Sequence, residues 1–390
     1  MSLKLEFVER AEKGETMSTL CREFGISRTT GHKWVKRFRE RGFEGLDEES
    51  RRPKGSPLAA AEDVVLAVLD ARDAHPRWGP KKLEVLLKRR FGEQCPSERT
   101  IARVLKRANR VQERRRLRPA NVVERAPRVQ AVGPNDVWTV DFKGWWRAKD
   151  GSRCEPLTVR DAFSRFLFTV TLCTAHAVVV RRVFERLFRR YGLPRQIQCD
   201  NGVPFVAVRS RGGLSQLSAW WVSLGIKLVR SRPGAPQDNG GHERMHRDMR
   251  AEIEASPERN LQAQQRRLDR WRQEFNHVRP HQALGGKTPA EVYKPKELRR
   301  LGGPLPRFPP GLESSKVYKN GNVRYRGTTY FVSESLAGME VALEPVDDFH
   351  VRIWFYDLDL GVIEVEPDVD DSIFLEARKR RVERSTTRAA

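Results

Sequence analysis

The first part of the chain carries apolar side chains at helical spacing. Leu5, Val8 and Ala11 recur three apart, and an apolar stretch and a glycine-bearing turn follow them. This spacing predicts three short helices within residues 1–50, and the third is expected to begin at Ser27, a favourable N-cap residue. A second helical region is predicted over residues 58–112. Its core candidates are Val64, Val65, Val68, Leu83, Leu86 and Leu87.

From residue 137 the spacing changes to the alternation that is typical of strands. Three β-rich apolar runs lie close together, and helices then alternate with two further strands. The predicted strands are Val137–Phe142, Leu157–Arg160, Phe166–Leu172, Gln196–Asp200 and Ile226–Val229. The predicted helices surround Val180–Phe188 and Leu214–Val222, or begin near Gly240 and Ser256.

The last part of the chain again contains short alternating runs. Between residues 312 and 366 these runs are separated by turns that contain glycine, and they predict a small C-terminal β-barrel. Residues 113–132 are rich in Arg and Pro and predict a flexible basic linker. Residues 375–390 are predicted to form a charged, disordered tail.

The net charge of the chain indicates which class of partner it is expected to bind. The 390 residues include 74 Lys and Arg against 51 Asp and Glu, a net charge of +23. Such an excess favours a polyanion, because each neutralised phosphate releases condensed counterions. Nucleic acid is therefore the expected partner, whereas we find no apolar run long enough for a membrane span and no leader sequence. The five scattered cysteines contain no C-x-x-C pair and are expected to be reduced thiols of a cytoplasmic protein.

The predicted helix after Gly25 carries polar side chains that suit contact with duplex DNA. The stretch Leu20–Ser27 is similar to a helix-turn-helix, in which the helix that follows the turn enters the major groove. A plain three-helix bundle would give a similar pattern. The predicted DNA-contacting residues of this first domain are Arg28, Thr29, Thr30, His32 and Lys33.

Further basic residues extend the expected DNA surface. Arg99, Arg103 and Arg107 recur four apart on one predicted helix, where a solvated face is the alternative interpretation. The linker residues Arg114, Arg115 and Arg116 would follow a phosphate backbone.

Two aspartates end predicted strands. Asp141 follows Trp138 and Val140 on the opposite face of its strand, and Asp200 precedes the turn-forming Asn201-Gly202. Adjacent strands lie about 4.8 Å apart, so carboxylates at neighbouring strand ends can share a metal site. Taken singly, each aspartate could instead serve a turn.

A third carboxylate lies on the helix predicted to begin near Gly240. There Met245, Met249 and Ile253 form an apolar row, and a polar row consists of Glu243, His246, Arg247 and Arg250. Glu243 could instead form a surface ion pair. Asp248 is a weaker substitute for it as a ligand, and Asp161 is expected to belong to a hairpin turn.

Four sequence blocks resemble the insertion-sequence transposases with a retroviral-integrase-type core and an N-terminal helix-turn-helix. The blocks are Trp138–Asp141, Cys199–Phe205, Pro236–Arg247 and Asn276–Leu284, and the resemblance covers roughly residues 130–295. It implies a ribonuclease-H-like α/β core over residues 133–295, in which Asp141, Asp200 and Glu243 bind two Mg²⁺ ions, with Mn²⁺ as a possible substitute. The His and Cys cluster that binds zinc in retroviral integrases is absent.

The resemblance further implies a metal-dependent polynucleotidyl transferase that binds the terminal inverted repeats of its element, then cuts and joins DNA. Its expected partners are double-stranded DNA, at the element ends and the target, and copies of itself on DNA, with no membrane and no small-molecule substrate. Its expected place is the bacterial cytoplasm, in association with the nucleoid. On the same grounds His246, Arg247, Arg250 and Arg279 are predicted to contact DNA, and Asn276 and His281 either contact DNA or cap helices.

Two other functions fit parts of the pattern. A DNA-binding regulator could keep this architecture without catalysis, although all three acids are present. A nuclease that acts on RNA in hybrids would share the core fold, but two helical regions and a basic linker favour duplex DNA.

Overall fold

The computed structural model describes residues 3–48, 60–111, 129–232, 240–304 and 306–366. The predicted linker arginines Arg114, Arg115 and Arg116 and the charged tail lie outside these ranges. The chain divides into two compact units, Met1–Glu62 and Asp63–Ala390, which are described separately below.

The first unit consists of three α-helices and a short 3₁₀ turn, as the spacing predicts. These are α1 (Leu3–Glu12), α2 (Met17–Glu23), α3 (Arg28–Arg41) and the 3₁₀ turn Gly42–Leu46. Phe7, Leu20 and Val35 are buried between the helices. The side chain of Ser27 accepts a hydrogen bond from the Thr30 amide at 3.2 Å and so caps α3. The helices approach closely at Gly31, where a Cβ atom would lie 2.8 Å from the Phe7 ring.

The second unit opens with the predicted second helical region. Its helices are α4 (Glu62–Ala74), α5 (Pro80–Phe91) and α6 (Glu98–Arg107). Among the core candidates, Val68, Leu83 and Leu87 are fully or almost fully buried, together with Trp78. Ser97 caps α6 as Ser27 caps α3.

A five-stranded mixed sheet follows. Its strands are β1 (Val137–Phe142), β4 (Pro156–Asp161), β5 (Leu167–Leu172), β6 (Gln196–Cys199) and β7 (Lys227–Arg230), and between β1 and β4 lies a small hairpin of β2 (Trp146–Arg147) and β3 (Arg153–Cys154). The order across the sheet is β5-β4-β1-β6-β7. The pairs β5-β4 and β4-β1 are antiparallel, and β1-β6 and β6-β7 are parallel. This is the ribonuclease-H-like arrangement that the resemblance implies.

Helices cover both faces of this sheet. They are α7 (Ala177–Tyr191), α8 (Gln216–Ser223), α9 (Gly240–Met249), α10 (Leu261–His277) and the short α11 (Pro289–Val292). Trp138 and Val140 of β1 pack against α7 and α8 on one face. On the other face the predicted row of Met245, Met249 and Ile253 packs against β5 and α10. A π-helical turn, Arg250–Glu254, continues α9.

The C-terminal strands do not form the predicted closed barrel. They are β8 (Glu313–Lys316), β9 (Asn322–Tyr325), β10 (Thr328–Phe331), β11 (Glu340–Asp347), β12 (His350–Phe355) and β13 (Leu358–Glu364). They form an open sheet of order β13-β12-β11-β8 and a separate β9-β10 hairpin. The sheet and the hairpin share one apolar cluster, which includes Val323 and Tyr325 of β9 and also takes in Leu214, Ala219 and Val222 from around α8.

No helix in the described ranges is long and apolar enough to span a membrane.

Candidate active site

Asp141 and Asp200 lie at the same level of two adjacent parallel strands. The β1-β6 register pairs Thr139 with Gln198, and each aspartate follows two residues later on its strand. Thr139 and Asp141 are on the face opposite the buried Trp138 and Val140, as the alternation predicts. Asp200 accepts a hydrogen bond from the Gly202 amide at 3.0 Å, so the predicted turn is present and orients its carboxylate.

Two histidines of α9 attach this helix to the sheet beside Asp141. His242 is fully buried, with Nε2 2.7 Å from the Thr139 hydroxyl and Nδ1 3.3 Å from that of Thr158. His246, one turn later, has Nε2 2.9 Å from the same Thr158 hydroxyl and Nδ1 3.9 Å from Asp141. Burial and Arg160 lower the pKa of His242, and burial, Lys143 and Arg160 lower that of His246 to about 3. Both rings are therefore neutral at physiological pH.

Glu243 is exposed in the first turn of α9, next to these histidines. Burial first, then the carboxylate of Asp200 and more weakly that of Glu243, raise the pKa of Asp141 to about 7, while the Phe142 amide opposes the shift. The three acids therefore lie close enough to repel one another. A cation among them would relieve this repulsion.

The chemistry of the donors fits a hard divalent cation. Asp141 and Asp200 offer oxygen ligands from rigid strand ends, which Mg²⁺ prefers, and Glu243 can add another from α9. Atoms of Asp141, His242 and His246 also lie within 4.8 Å of one another. Both ring nitrogens of His242 are within hydrogen-bond range of threonines, however, so this residue is better suited to holding the helix than to binding an ion.

The predicted recognition helix α3 presents its polar side chains to solvent. Arg28, Thr29, His32 and Lys33 are exposed, whereas Thr30 is half-buried and its hydroxyl contacts Ser27 at 2.8 Å. A shallow depression of about 370 Å³ runs along this face. Its lining residues are Thr29, His32, Lys33, Lys36, Arg37, Glu40 and Arg41.

The basic row of α6 is exposed. Arg99, Arg103 and Arg107 face solvent, and Ile101 and Leu105 of the same helix are fully buried. On α9, Arg247 and Arg250 are exposed as well, whereas His246 is largely covered and faces Asp141.

The structure corrects the expectation for Arg279. Its side chain is 1% exposed and forms ion pairs with Asp248 at 3.2 Å, with Glu252, and with Glu274 at 3.7 Å. A guanidinium enclosed in this way cannot reach a phosphate. The Asp248 carboxylate is engaged with Arg279, which argues against its use as the third metal ligand.

Asn276 and Asp161 also have structural roles. The buried amide of Asn276 exchanges two hydrogen bonds with the backbone of Leu167, at 2.8 and 2.9 Å, so it neither caps a helix nor faces a ligand. Asp161 accepts bonds from the amides of Asn135 and Ser164 and from the Ser164 hydroxyl, and so belongs to the predicted turn. His281 precedes a 3₁₀ turn without capping it through its side chain.

The sequence did not predict the cluster of side chains that holds α9 on the sheet. No role was predicted for Thr139, Thr158, Arg160 or His242. Arg160 is buried beside Gly241, where a Cβ atom would overlap its guanidinium, so a larger residue would require the guanidinium or the start of α9 to shift. The available signal was the pair of histidines four residues apart, which share one helix face.

Family models match most of the described chain. Integrase core domain models match residues 131–236 and 224–289. A helix-turn-helix domain model matches residues 3–54, and a homeodomain-like domain model matches residues 30–105.

Relatives and solved structures are also similar to the chain. The insertion element IS476 uncharacterized 39.2 kDa protein of Xanthomonas euvesicatoria is 27% identical over 304 residues, which are 77% of this chain and 84% of that protein. The insertion element IS407 uncharacterized 31.7 kDa protein of Burkholderia multivorans is 29% identical over 59% of this chain and 81% of its own length. The HTLV-2 integrase catalytic core domain in complex with magnesium is 18% identical over 42% of this chain and all of its own, with a TM-score of 0.31. The chain is therefore similar to insertion-element proteins, and the family models match helix-turn-helix domains ahead of an integrase core.

Proposed function

We propose that the protein is a DNA transposase that binds the ends of its element and catalyses metal-dependent strand cleavage and strand transfer. The observation that carries this proposal is the position of Asp141 and Asp200 at one level of adjacent parallel strands, within the region matched by the integrase core model. The exposed polar face of α3 and the basic row of α6 supply surfaces for duplex DNA.

The residues of the site divide into three groups by their roles. Asp141, Asp200 and Glu243 are the proposed ligands of two Mg²⁺ ions. When bound, such ions activate an attacking oxygen and stabilise the leaving oxygen of an in-line displacement at phosphorus. His242 and His246 hold α9 on β1 and β4, and the exposed Arg247 and Arg250 attract the phosphate backbone.

The chemistry needs no covalent protein intermediate. Water as the nucleophile nicks a strand, and a DNA 3′-hydroxyl as the nucleophile joins that strand to a target. The side chains of Asp141 and Asp200 keep fixed positions because their strands lie inside the sheet, so the ligands need little reorganisation during the reaction.

The test is a nicking and joining assay with Mg²⁺ on DNA that carries the sequences flanking the reading frame. We expect Asp141→Asn, Asp200→Asn and Glu243→Gln each to lower the rate by about 10³-fold or more, because each removes several kcal/mol of transition-state stabilisation. DNA affinity should stay within about twofold of the wild type, which separates lost chemistry from lost folding.

Asp248→Asn is the matched control on α9. It should retain cleavage, since Asp248 pairs with Arg279. Full activity of Glu243→Gln together with loss in Asp248→Asn would overturn the ligand assignment. DNA binding without cleavage by the wild type would favour a regulator, and preferential cleavage of RNA–DNA hybrids would favour a nuclease of that class.

A further inference from the structure

The hairpin that follows β1 presents an exposed tryptophan close to the candidate active site. All nine tryptophans are described, and Trp145, with 52% of its surface exposed, is the one that faces solvent. An indole has a large apolar ring and a polar N–H, a combination that suits contact with a partner at the surface. Trp145 is therefore a candidate for such a contact.

The hairpin is held firmly, so the exposure of Trp145 does not come from a loose loop. Trp146, Ala148 and Cys154 face the core beneath α9 and α10. The backbone amides of Lys149 and Asp150 donate hydrogen bonds to the carbonyls of Glu258 and Arg259, at 2.9 and 3.1 Å. The alternation of the strand then turns Trp145 and Arg147 outward.

Two arginines flank the exposed indole. The guanidinium carbons of Arg153 and Arg147 lie 4.9 and 5.6 Å from the Trp145 ring centroid. Both guanidiniums lie over the ring at cation–π distance, and 52% of the Trp145 surface remains exposed beside them. Arg153 also bonds Glu155 at 3.1 Å, and Arg147 bonds the Gly151 carbonyl at 2.8 Å, which keeps both side chains in place.

The hairpin is close to the acids. Trp145 follows Asp141 by four residues, so their Cα atoms are at most about 14 Å apart. Stacked bases of one strand are about 3.4 Å apart, so a strand whose reacting phosphate lies at Asp141 can place a base on Trp145 within about four steps.

We propose that Trp145, bordered by Arg147 and Arg153, binds an unpaired base of the DNA strand at the active site by stacking. The two guanidiniums hold the neighbouring phosphates. Stacking on an aromatic ring accepts any base, because every base has a π-face, and cationic neighbours strengthen it. The inference rests on the proposed function, since it assumes that a DNA strand enters the site.

The experiment measures affinity for two DNA probes that differ only in pairing. One is a blunt duplex, and the other has a single-stranded 3′ extension that contains 2-aminopurine. Both are used with full-length protein carrying Asp141→Asn, so that no cleavage occurs. Trp145→Ala should weaken binding of the extended probe by about 5- to 150-fold and abolish the quenching of 2-aminopurine, with little effect on the blunt duplex.

Two further variants make the result specific. Trp145→Phe should restore most of the affinity, because it keeps an aromatic ring. Phe349→Ala removes an aromatic side chain that is 56% exposed in the C-terminal sheet, and it should change neither probe. Equal losses on both probes, or no loss on either, would overturn the proposal; a change in self-association without a change in DNA affinity would mark the hairpin as a protein contact instead.

The cleavage assay keeps the two proposals apart. If wild-type protein does not cut DNA but Trp145→Ala still loses the extended probe selectively, the stacking site stands and the catalytic function fails. If wild-type protein cuts DNA and Trp145→Ala binds both probes normally, the stacking site alone fails.

Discussion

Two groups of three acids lie near opposite ends of α9, and they differ in what balances their charge. The sheet-edge acids are Asp141, Asp200 and Glu243, and the Arg279 acids are Asp248, Glu252 and Glu274. In the second group a buried guanidinium lies among the carboxylates. In the first group the neighbouring carboxylates help to raise the pKa of Asp141 to about 7.

The difference separates a structural role from the proposed metal-binding role. The guanidinium of Arg279 also lies 5.8, 5.4 and 5.7 Å from the ring centroids of Trp78, Trp271 and Phe275, so it joins the second helical region to the core. In the second group, the protein itself therefore supplies the cation that balances the three carboxylates. In the first group, Asp200 and Glu243 repel the carboxylate of Asp141, and a cation that binds among the three acids would relieve this repulsion.

The largest effect on stability is expected at Arg279. Arg279→Ala leaves three carboxylates without their buried cation, and we expect it to lower the free energy of unfolding by about 3–5 kcal/mol. Chemical denaturation followed by tryptophan fluorescence measures this. Arg279→Lys should lower the free energy of unfolding less, since it keeps the positive charge. If Arg279→Ala were as stable as the wild type, Arg279 would not balance the charge of the three carboxylates.

A smaller effect on stability, of opposite sign to that of Arg279→Ala, is expected for Asp141→Asn. Its pKa is raised from the ordinary 3.8 to about 7, so the folded protein binds more protons than the unfolded chain between these values. The wild type therefore loses stability as pH rises from about 4 to 7. Without metal, Asp141→Asn should be more stable than the wild type at pH 8, by about 1–3 kcal/mol, and equal to it near pH 4.

Thermal denaturation with a chelator, across this pH range, tests the prediction. Added Mg²⁺ should raise the melting temperature of the wild type at pH 8 and leave Asp141→Asn nearly unchanged. Equal melting temperatures of the two proteins at pH 8 without metal would show that burial and the neighbouring carboxylates do not raise the pKa of Asp141.

The smallest effect is expected at Arg250, which lies on the same helical segment but is exposed. Its pair with Glu254 is 4.0 Å long and its side chain is 78% exposed. Arg250→Ala should change stability by less than about 0.5 kcal/mol. The same variant should weaken DNA binding in a salt-dependent way if the residue contacts a phosphate, which Arg279 cannot do.

Local patterns in the sequence predicted much of the core and part of the site. The alternation at Trp138, Val140 and Asp141 defined which face of β1 is buried, because side chains on a strand point to opposite faces in turn. The row of Met245, Met249 and Ile253 likewise defined the buried face of α9. The serine cap at Ser27 rests on a bond within four residues, so the sequence could predict it equally well.

The roles that could not be predicted depend on contacts between distant segments. Arg279 lies within the block Asn276–Leu284, which resembles a transposase motif. Its partners, however, lie on α9 and α10 and in the second helical region. The β-barrel was predicted from short alternating runs, but whether a sheet closes depends on which strands pair and what packs on its apolar face. Here the β9-β10 hairpin and residues around α8 share the apolar cluster of the open sheet.

The sequence by itself therefore determined most of the elements and their buried faces and indicated the three acids as candidate ligands, since these follow from local periodicity and from motifs that resemble those of a family. Only the tertiary structure decided which charges are balanced internally. Arg279 and the sheet-edge acids are all charged residues within family-like motifs, and nothing local distinguishes them. Burial and the charges of distant segments make Arg279 a structural cation and make the sheet-edge acids a candidate site for a cation.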